Sequence, residues 1–503
     1  MNIEQINKSL GWLSPSAARF VEAQIRRIPS VRRKMEAEYN KVLSELEKNL
    51  KPYKNELESY PQLPEYGKPK EFILSTIQKL AEKEKNKWQE GFVSGAVYHG
   101  DSDFDEFLGS AYKFYLQSNP LHSDVWPGLN KMEAEIVSMT AHILGASHSS
   151  HPIVGTITSG GTESILLAMK TYRDKAFKEK GISQPEIVLP VTAHAAFDKA
   201  AHYFGIRLIK IPVDKNSRPD LKAYRRAFSA NTIAAVGSAP NFPHGTIDPI
   251  EEMAYIAKKR KVGFHTDACL GAFILPFARE LGTHIPPFHF EVEGVTSISA
   301  DTHKYGYAPK GTSVVLYRGV ELRRYQYFTA TDWPGGLYFS PTIAGSRSGG
   351  LIAACWAAML NLGYQGYLNA AARILETTRK IKEAVKEMSN LCLIGDSPFI
   401  ITFASASNNF DIYQVMDQMA RKGWSLNGLH KPSCLHFTVT LRHTIPGVAE
   451  RFIEDLKQSV DFVLRNPNLE GGLAPVYGLA ASLPFRGMVD ELLRGYMDVL
   501  YRV

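Results

Sequence analysis

The central part of this 503-residue chain alternates short apolar runs with helix-like segments, and this alternation limits the possible folds more than any other feature. The runs PIVGTIT (152–158), EIVLPV (186–191) and TIAAVGS (232–238) are rich in β-branched residues, and each is followed after a turn by apolar residues at helical spacing. Strands that alternate with helices favour a mainly parallel sheet covered on both faces. The sequence therefore predicts an α/β protein.

The length predicts more than one structural part, because a single core rarely grows to this size. Residues 1–90 are polar, rich in helix-forming residues and broken by Pro52, so we expect a helical N-terminal arm. Residues 91–350 contain the strand–helix alternation and should form a large domain. Residues 351–503 alternate more sparsely, which predicts a smaller C-terminal α+β domain.

Composition argues against several classes of protein. A formal charge of +7 is a mild excess without a basic, aromatic-rich stripe, so it fits an anionic ligand better than nucleic acid. No window approaches the ~20 apolar residues of a membrane helix, and the first residues lack the apolar core of a signal peptide. We expect a soluble, cytoplasmic protein, with an amphipathic N-terminal segment that packs on protein or touches a membrane surface.

The four cysteines predict neither a metal site nor disulfides. They form no CxxC motif, and none lies near a histidine at zinc-like spacing. Reduced thiols are the ordinary state of cysteines in the cytosol, and no metal is expected.

Polar side chains follow four of the predicted strands at their carboxyl ends, where the sites of such sheets lie. Gly161 and Thr162 follow the first strand at a helix start, where free N–H groups can bind a phosphate, although such residues also form ordinary caps. His194 follows the second strand and could stack on an aromatic ring, hold a proton or simply occupy a loop.

The last two strands add a carboxylate and a lysine. Asp267 lies at the end of the run VGFHTDA (262–268). It could cap a helix, or its carboxylate could face a buried cation. His303 and Lys304 lie in SISADTHKYGYAPKG (297–311), just past a short β-rich run. All four positions would be explained by one ligand with a phosphate, an aromatic ring, a basic ring nitrogen and an aldehyde, which is pyridoxal 5′-phosphate.

This interpretation gives each group a chemical role. The helix start at Gly161 and Thr162 would bind the phosphate, and His194 would lie against the ring. Asp267 would pair with the protonated ring nitrogen, which makes the ring an electron sink. Lys304 would form the Schiff base, with His303 beside it.

The order of these motifs resembles that of the fold-type I, aspartate-aminotransferase-like pyridoxal-phosphate enzymes. The stretches 297–311 and TSGGTESILLAMKTYRD (158–174) resemble the group II decarboxylase family. Within that family, four further stretches resemble the sphingosine-1-phosphate lyases: VSGAVYHGD (93–101), NPLHSDVWPG (119–128), HTDACLGAF (265–273) and GGLYFSPTIAGSRSGG (335–350). The resemblance covers about residues 65–480.

The resemblance implies a carbon–carbon lyase, an aldehyde-lyase that uses pyridoxal phosphate. It would cleave phosphorylated sphingoid bases by a retro-aldol reaction to a fatty aldehyde and phosphoethanolamine. It also implies a homodimer with shared active sites, in which residues 98–122 serve the partner's cofactor.

The resemblance further supplies site residues. Tyr98 matches an active-site tyrosine that relays a proton or binds the substrate phosphate, and Lys310 matches a second lysine drawn to that phosphate. The other matching positions are Asn119, His122 and Ser346 near the phosphate and Tyr477, which closes the site.

Two alternatives use the same fold. An amino-acid decarboxylase would keep His194, Asp267 and Lys304 but would have less use for a second phosphate cluster, and the motif at 335–350 favours the lyase. A non-catalytic member would have lost Lys304 or Asp267. Two residues depart from the family pattern: Ser348 where proline is frequent, and Ala272 where glycine is expected.

Overall fold

The chain enters the fold through helices. The computed structural model describes residues 51–407, 409–466 and 486–503, together with isolated positions between 24 and 50. The first three helices with continuous description are α1 (Lys70–Gln89), α2 (Ser102–Phe114) and α3 (Pro127–Ile143). Asp101 caps α2 by accepting a hydrogen bond from the Phe104 N–H. None of the described helices is long and apolar enough to cross a membrane.

Strands and helices alternate from residue 153 to residue 318. The elements of this part are β1 (Ile153–Thr158), α4 (Gly161–Lys180), β2 (Glu186–Pro190), α5 (Ala196–Phe204), β3 (Arg207–Ile211), α6 (Leu221–Arg226), β4 (Thr232–Ser238), α7 (Ile250–Lys259), β5 (Gly263–Asp267), α8 (Leu275–Glu280), β6 (Ser297–Ala300) and β7 (Ser313–Arg318).

The strands form one seven-stranded sheet in the order β1-β7-β6-β5-β4-β2-β3. Strand β7 is antiparallel to both of its neighbours, and the pairs from β6 to β3 are all parallel. Every residue of β2 and β4 is buried, as expected for central strands covered on both faces. The predicted mainly parallel α/β sheet is confirmed, and the carboxyl ends of its parallel strands meet at one edge.

A smaller antiparallel sheet follows. The elements are α9 (Val320–Arg324), β8 (Phe328–Ala330), β9 (Tyr338–Ser340), α10 (Gly349–Glu387), β10 (Leu391–Ile394), β11 (Ile400–Ser405), α11 (Ile412–Arg421), β12 (Asn427–Leu429), β13 (Cys434–Thr438), α12 (Val448–Arg465) and α13 (Arg486–Leu500). Four of these strands pair in the order β10-β11-β13-β12, while β8 and β9 form a separate hairpin. The predicted C-terminal α+β part is thus present.

Helix α10 connects the two parts of the chain. It starts at Gly349, close to the predicted boundary between residues 91–350 and 351–503, and its helical geometry is interrupted at Gly363 (φ 57°). The domain boundaries themselves stay predictions.

The segment after α1 crosses to the small sheet, because the N–H of Ser94 donates to the Ser425 carbonyl at 2.9 Å and that of Gly95 to the Thr438 carbonyl at 3.0 Å.

Candidate active site

Lys304 lies in the turn after β6, and its ammonium group is paired with a buried carboxylate. The distance from Lys304 Nζ to Asp301 Oδ2 is 2.8 Å. Burial alone lowers the pKa of Lys304, but the negative charge of Asp301 opposes this and leaves the pKa above its ordinary value. Burial also opposes ionisation of Asp301, and the positive charge of Lys304 outweighs it and lowers the Asp301 pKa. The turn after β6 therefore holds an ion pair between a fully buried carboxylate and a half-buried lysine.

A second lysine and a buried tyrosine lie beside this pair. Lys310 Nζ donates to the His303 carbonyl at 3.1 Å and lies 4.6 Å from the centre of the Tyr98 ring, a cation–π contact. Lys310 is exposed in part, and partial burial followed by the positive charge of Lys304 lowers the pKa of its ammonium group to about 8. Burial raises the pKa of Tyr98 to about 12. Near neutral pH, Tyr98 keeps its proton, whereas Lys310 can exchange one.

The small sheet positions Tyr98. The Leu441 N–H donates to the Tyr98 carbonyl at 3.2 Å, and the Tyr98 ring packs edge-on against Tyr305 with the ring centres 4.9 Å apart. The tyrosine thus contacts Lys310 of its own chain. The expectation that residues 98–122 serve the partner's cofactor stays a prediction, and within one chain Tyr98 lies against Lys310.

The start of helix α4 lies directly against the ion pair. A Cβ atom on Gly161 would be 2.7 Å from Asp301 Oδ1 and 2.8 Å from Cys269 Sγ, so only glycine fits. Gly160 has φ 155° and ψ 169°, caps the helix without a side chain, and lies near the His303 ring. The exposed Thr162 follows. First-turn N–H groups without a side-chain cap are suited to bind a phosphate.

Two further predicted residues lie at the ends of β5 and β2. Asp267 Oδ1 accepts hydrogen bonds from the Cys269 N–H at 3.1 Å and from the Ser299 hydroxyl at 3.3 Å. Its Oδ2 atom has no hydrogen-bond partner in the described part of the chain. The His194 ring is exposed, and its Nδ1 accepts from the Ala196 N–H at 3.1 Å, which fixes the ring at the start of α5.

These groups fit pyridoxal phosphate. A backbone cradle that excludes any Cβ, a buried carboxylate with one free oxygen and a half-buried lysine match its phosphate, ring nitrogen and aldehyde. The Thr192 hydroxyl, two residues before His194, is also buried and has no hydrogen-bond partner among the residues that the structure describes. A buried polar atom of this kind usually has a partner such as a ligand or water.

The other predicted phosphate residues form a separate cluster. Asn119 Nδ2 donates to Ser346 Oγ at 2.9 Å, and Asn119 Oδ1 accepts from the Arg347 N–H at 3.3 Å. Arg347 binds Glu133 through two contacts of 3.0 Å each. His122 is exposed, and its N–H donates to the Asn119 carbonyl.

The two clusters are not in contact within one chain. Among the described residues, no hydrogen bond or ion pair joins Asn119, His122 or Ser346 to Lys304 or Lys310. The remaining predicted residue, Tyr477, lies outside the described part of the chain.

Sequence reasoning missed Asp301, Glu163 and Arg347. Glu163 accepts hydrogen bonds from the Ser159 N–H at 2.7 Å and the Ile343 N–H at 2.9 Å, and so ties the glycine loop to the segment before Ser346. Asp301 had a usable local signal, since it stands three residues before Lys304 at the end of a buried strand. Glu163 and Arg347 have partners far away in sequence and gave no such signal.

Comparisons with known proteins show which proteins this chain is similar to. The model of the pyridoxal-dependent decarboxylase conserved domain matches residues 54–399. The sphingosine-1-phosphate lyase 1 of Rattus norvegicus is 46% identical over 95% of this chain and 83% of its own length. The solved sphingosine-1-phosphate lyase of Burkholderia pseudomallei has a TM-score of 0.81 and 43% identity, covering 88% of this chain and 99% of its own. The glutamate decarboxylase of Lactobacillus brevis has a TM-score of 0.70 at 20% identity, covering 83% and 98%.

Proposed function

Because this chain belongs to the pyridoxal-dependent decarboxylase family and, within it, to the sphingosine-1-phosphate lyases, we propose that it cleaves phosphorylated long-chain bases by a retro-aldol reaction. The products are a fatty aldehyde and phosphoethanolamine. Family membership confirms the predicted fold type and cofactor. The single observation that carries the function is 46% identity to a lyase over 95% of the chain.

The cofactor residues would be Gly161, Thr162, His194, Asp267 and Lys304, with His303 packed behind the glycine loop. When bound, pyridoxal phosphate supplies an aldehyde for the substrate amine and a protonated ring that accepts the electron pair of the broken bond. Lys304 would hold the cofactor through its aldehyde group. Asp301 keeps the ammonium group of Lys304 inside the site, because the two form an ion pair.

Lys310 would bind the substrate phosphate. Its ammonium group is next to Lys304, and burial and the charge of Lys304 lower its pKa to about 8. A phosphate dianion supplies the counter-charge that this lysine lacks and favours its protonated form. Firm anchoring orients the scissile bond relative to the ring, which is the main geometric demand of the reaction. Tyr98, with its pKa raised to about 12, acts as a proton donor or phosphate ligand and not as a base.

Asn119, His122 and Ser346 would reach the site of a second subunit. Among the described residues, no hydrogen bond or ion pair joins them to Lys304, and the chain segment that leads to Ser346 exposes the apolar side chains of Leu337, Phe339 and Ile343. An open groove of about 910 Å³ is lined by residues of α3, β1 and the β8–β9 hairpin. A second copy of the chain would cover these surfaces and complete both sites, so the active form is a homodimer.

The competing reaction, amino-acid decarboxylation, is less well supported. The glutamate decarboxylase shares 20% identity with this chain, which shows a common fold only. A decarboxylase for free amino acids also leaves Lys310 without a role. The four free cysteines, three of them buried, support a reducing compartment, and we place the enzyme in the cytoplasm.

The test is product analysis with purified protein loaded with cofactor. A phosphorylated sphingoid base should give fatty aldehyde and phosphoethanolamine in equal amounts. The Lys304→Ala variant should give neither, while Lys180→Ala, a lysine at the far end of α4, should behave as the wild type. Carbon dioxide from an amino acid, without aldehyde from the lipid, would replace the proposal with the decarboxylase.

A further inference from the structure

A chain of buried hydrogen bonds runs beneath Asp267. Tyr172 on α4 lies 2.6 Å from the Ser297 hydroxyl, Ser297 lies 2.7 Å from His265 Nδ1, and His265 Nε2 lies 3.2 Å from Ser299. Ser299 in turn donates to Asp267 at 3.3 Å. These contacts cross from a helix through two neighbouring strands to the carboxylate that faces the cofactor ring. The reaction described above uses only the last member.

The backbone is built to hold this chain. His265 and Asp267 stand two residues apart on β5 and are paired with Ser297 and Ser299 on β6, so all four face the same side of the sheet. Gly263, two residues before His265, makes room for the ring of Tyr172, which a Cβ atom at that position would strike. His265, Ser297 and Ser299 are fully buried.

The donor and the acceptor of each hydrogen bond in this network can be assigned by starting from Asp267. A carboxylate only accepts, so the single hydroxyl proton of Ser299 goes to Asp267. His265 Nε2 must therefore donate to Ser299. Burial lowers the pKa of His265 to about 4 despite the opposing charge of Asp267, so the ring is neutral and its Nδ1 accepts from Ser297. Because Ser297 donates its only hydroxyl proton to His265, it accepts a hydrogen bond from Tyr172. Burial raises the pKa of Tyr172 to about 12, so its hydroxyl keeps the proton that it donates.

We propose that His265 and Ser299 are positioning residues that aim the carboxylate of Asp267 at the cofactor's ring nitrogen and thereby keep that nitrogen protonated. The opposite tautomer of His265 would take the proton of Ser299 and remove one donor from Asp267. Tyr172 and Ser297 prevent this by supplying a donor at Nδ1. The titratable groups that face His265 are Tyr172 on α4 and Asp267 on its own strand. The inference rests on the proposed function only in assigning Asp267 to the ring nitrogen.

The test uses cofactor labelled with ¹⁵N at the ring nitrogen, bound to the full-length protein. The chemical shift of that nitrogen reports its protonation without any turnover. Ser299→Ala and His265→Leu should move the resonance towards the unprotonated position and weaken cofactor binding by about tenfold, the effect of losing one charge-assisted hydrogen bond. His265→Gln keeps a donor and an acceptor at the two ends and should restore most of the shift, and Ser299→Cys, a weaker donor of similar size, should lie between.

Ser459→Ala is the matched control, because Ser459 is equally buried but donates to the Asp455 carbonyl in α12. An unchanged resonance in Ser299→Ala would overturn the proposal, as would an equal change in Ser459→Ala. A change in Ser299→Ala but not in His265→Leu or His265→Gln would limit the effect to Ser299 and overturn the role of His265. Since the shift is read without substrate, a protein that bound cofactor but released no aldehyde would contradict the proposed function and leave this inference standing.

Discussion

The ammonium group of Lys310 lies over the face of the Tyr98 ring, 4.6 Å from its centre, and donates to the main chain next to Lys304. This contact fixes a second cation beside the lysine that holds the cofactor, without a carboxylate of its own. We expect Lys310→Met to lower kcat/KM for the phosphorylated substrate by about 100-fold, because one charge-assisted contact to a phosphate is lost. Cofactor affinity should stay within about twofold, measured by titration of the apoprotein. An equal loss of kcat/KM and of cofactor affinity would show that Lys310 contacts the cofactor and not the substrate phosphate.

The same lysine should set the alkaline limit of activity. Its pKa of about 8 means that it is cationic below pH 8 and mostly neutral above, so kcat/KM should fall as the pH rises through this value. Lys310→Arg stays charged at all working pH values, and this limb should disappear even if the maximal rate falls. A pH–rate profile that keeps the limb in Lys310→Arg would assign it to another group.

The glycine loop gives a prediction about cofactor binding. Gly161→Ala places a Cβ atom 2.7 Å from Asp301 Oδ1, so the loop must move away from the position in which its N–H groups could bind a phosphate. We expect the dissociation constant of pyridoxal phosphate to rise by at least about tenfold, which corresponds to about 1.4 kcal/mol. Gly109→Ala is the control, since Gly109 is in α2 and has no atom within 4 Å of an added Cβ. Equal affinity of both variants would argue against a phosphate at this helix start.

The general fold and the chemically reactive positions could be predicted from sequence because their signals are local. Strand–helix periodicity predicted the sheet, and Lys304 and Asp267 were singled out because Asp267 ends one strand and Lys304 lies in the turn after another. Asp301 pairs with Lys304 from only three residues away and was overlooked despite that local signal. Other contacts around the site could not be predicted, because they join chain segments that meet only in three dimensions. Glu163 contacts the backbone at Ile343, 180 residues away, and Tyr98 reaches Lys310 by way of the small sheet.

The buried pair of Lys304 and Asp301 should show in the stability of the apoprotein. Asp301→Asn leaves the Lys304 charge without its partner, which typically costs about 3–5 kcal/mol in such a site. Lys304→Met leaves the carboxylate alone and should cost a similar amount. The double variant should lose much less than the sum, and denaturant unfolding of the four apoproteins measures this coupling. Simple additivity would show that the two charges do not interact.

The ion pair of Lys304 and Asp301 also predicts that the protein loses stability in acid. Because the folded state lowers the pKa of Asp301, its contribution is complete above the ordinary carboxylate pKa of about 4 and is lost as the pH falls through the lower folded value. The free energy of unfolding of the wild-type apoprotein should therefore drop more steeply below pH 4 than that of Asp301→Asn. If the free energy of unfolding fell in parallel for the two proteins, Asp301 would not contribute to the loss of stability in acid.

Shared active sites can be tested by mixing two inactive chains. If Asn119 and Ser346 serve the partner's site, a heterodimer of Lys304→Ala with the double variant Asn119→Ala/Ser346→Ala contains one intact site, because the functional Lys304 and the functional phosphate residues then meet in the same place. Purified through two different tags, this heterodimer should recover about half of the wild-type activity. A heterodimer of Lys304→Ala with Tyr98→Ala is the matched control. Tyr98 contacts Lys310 of its own chain, so the two defects stay in separate sites and no activity should return. Rescue in the control but not in the first pair would reverse the assignment of the two clusters to the two subunits.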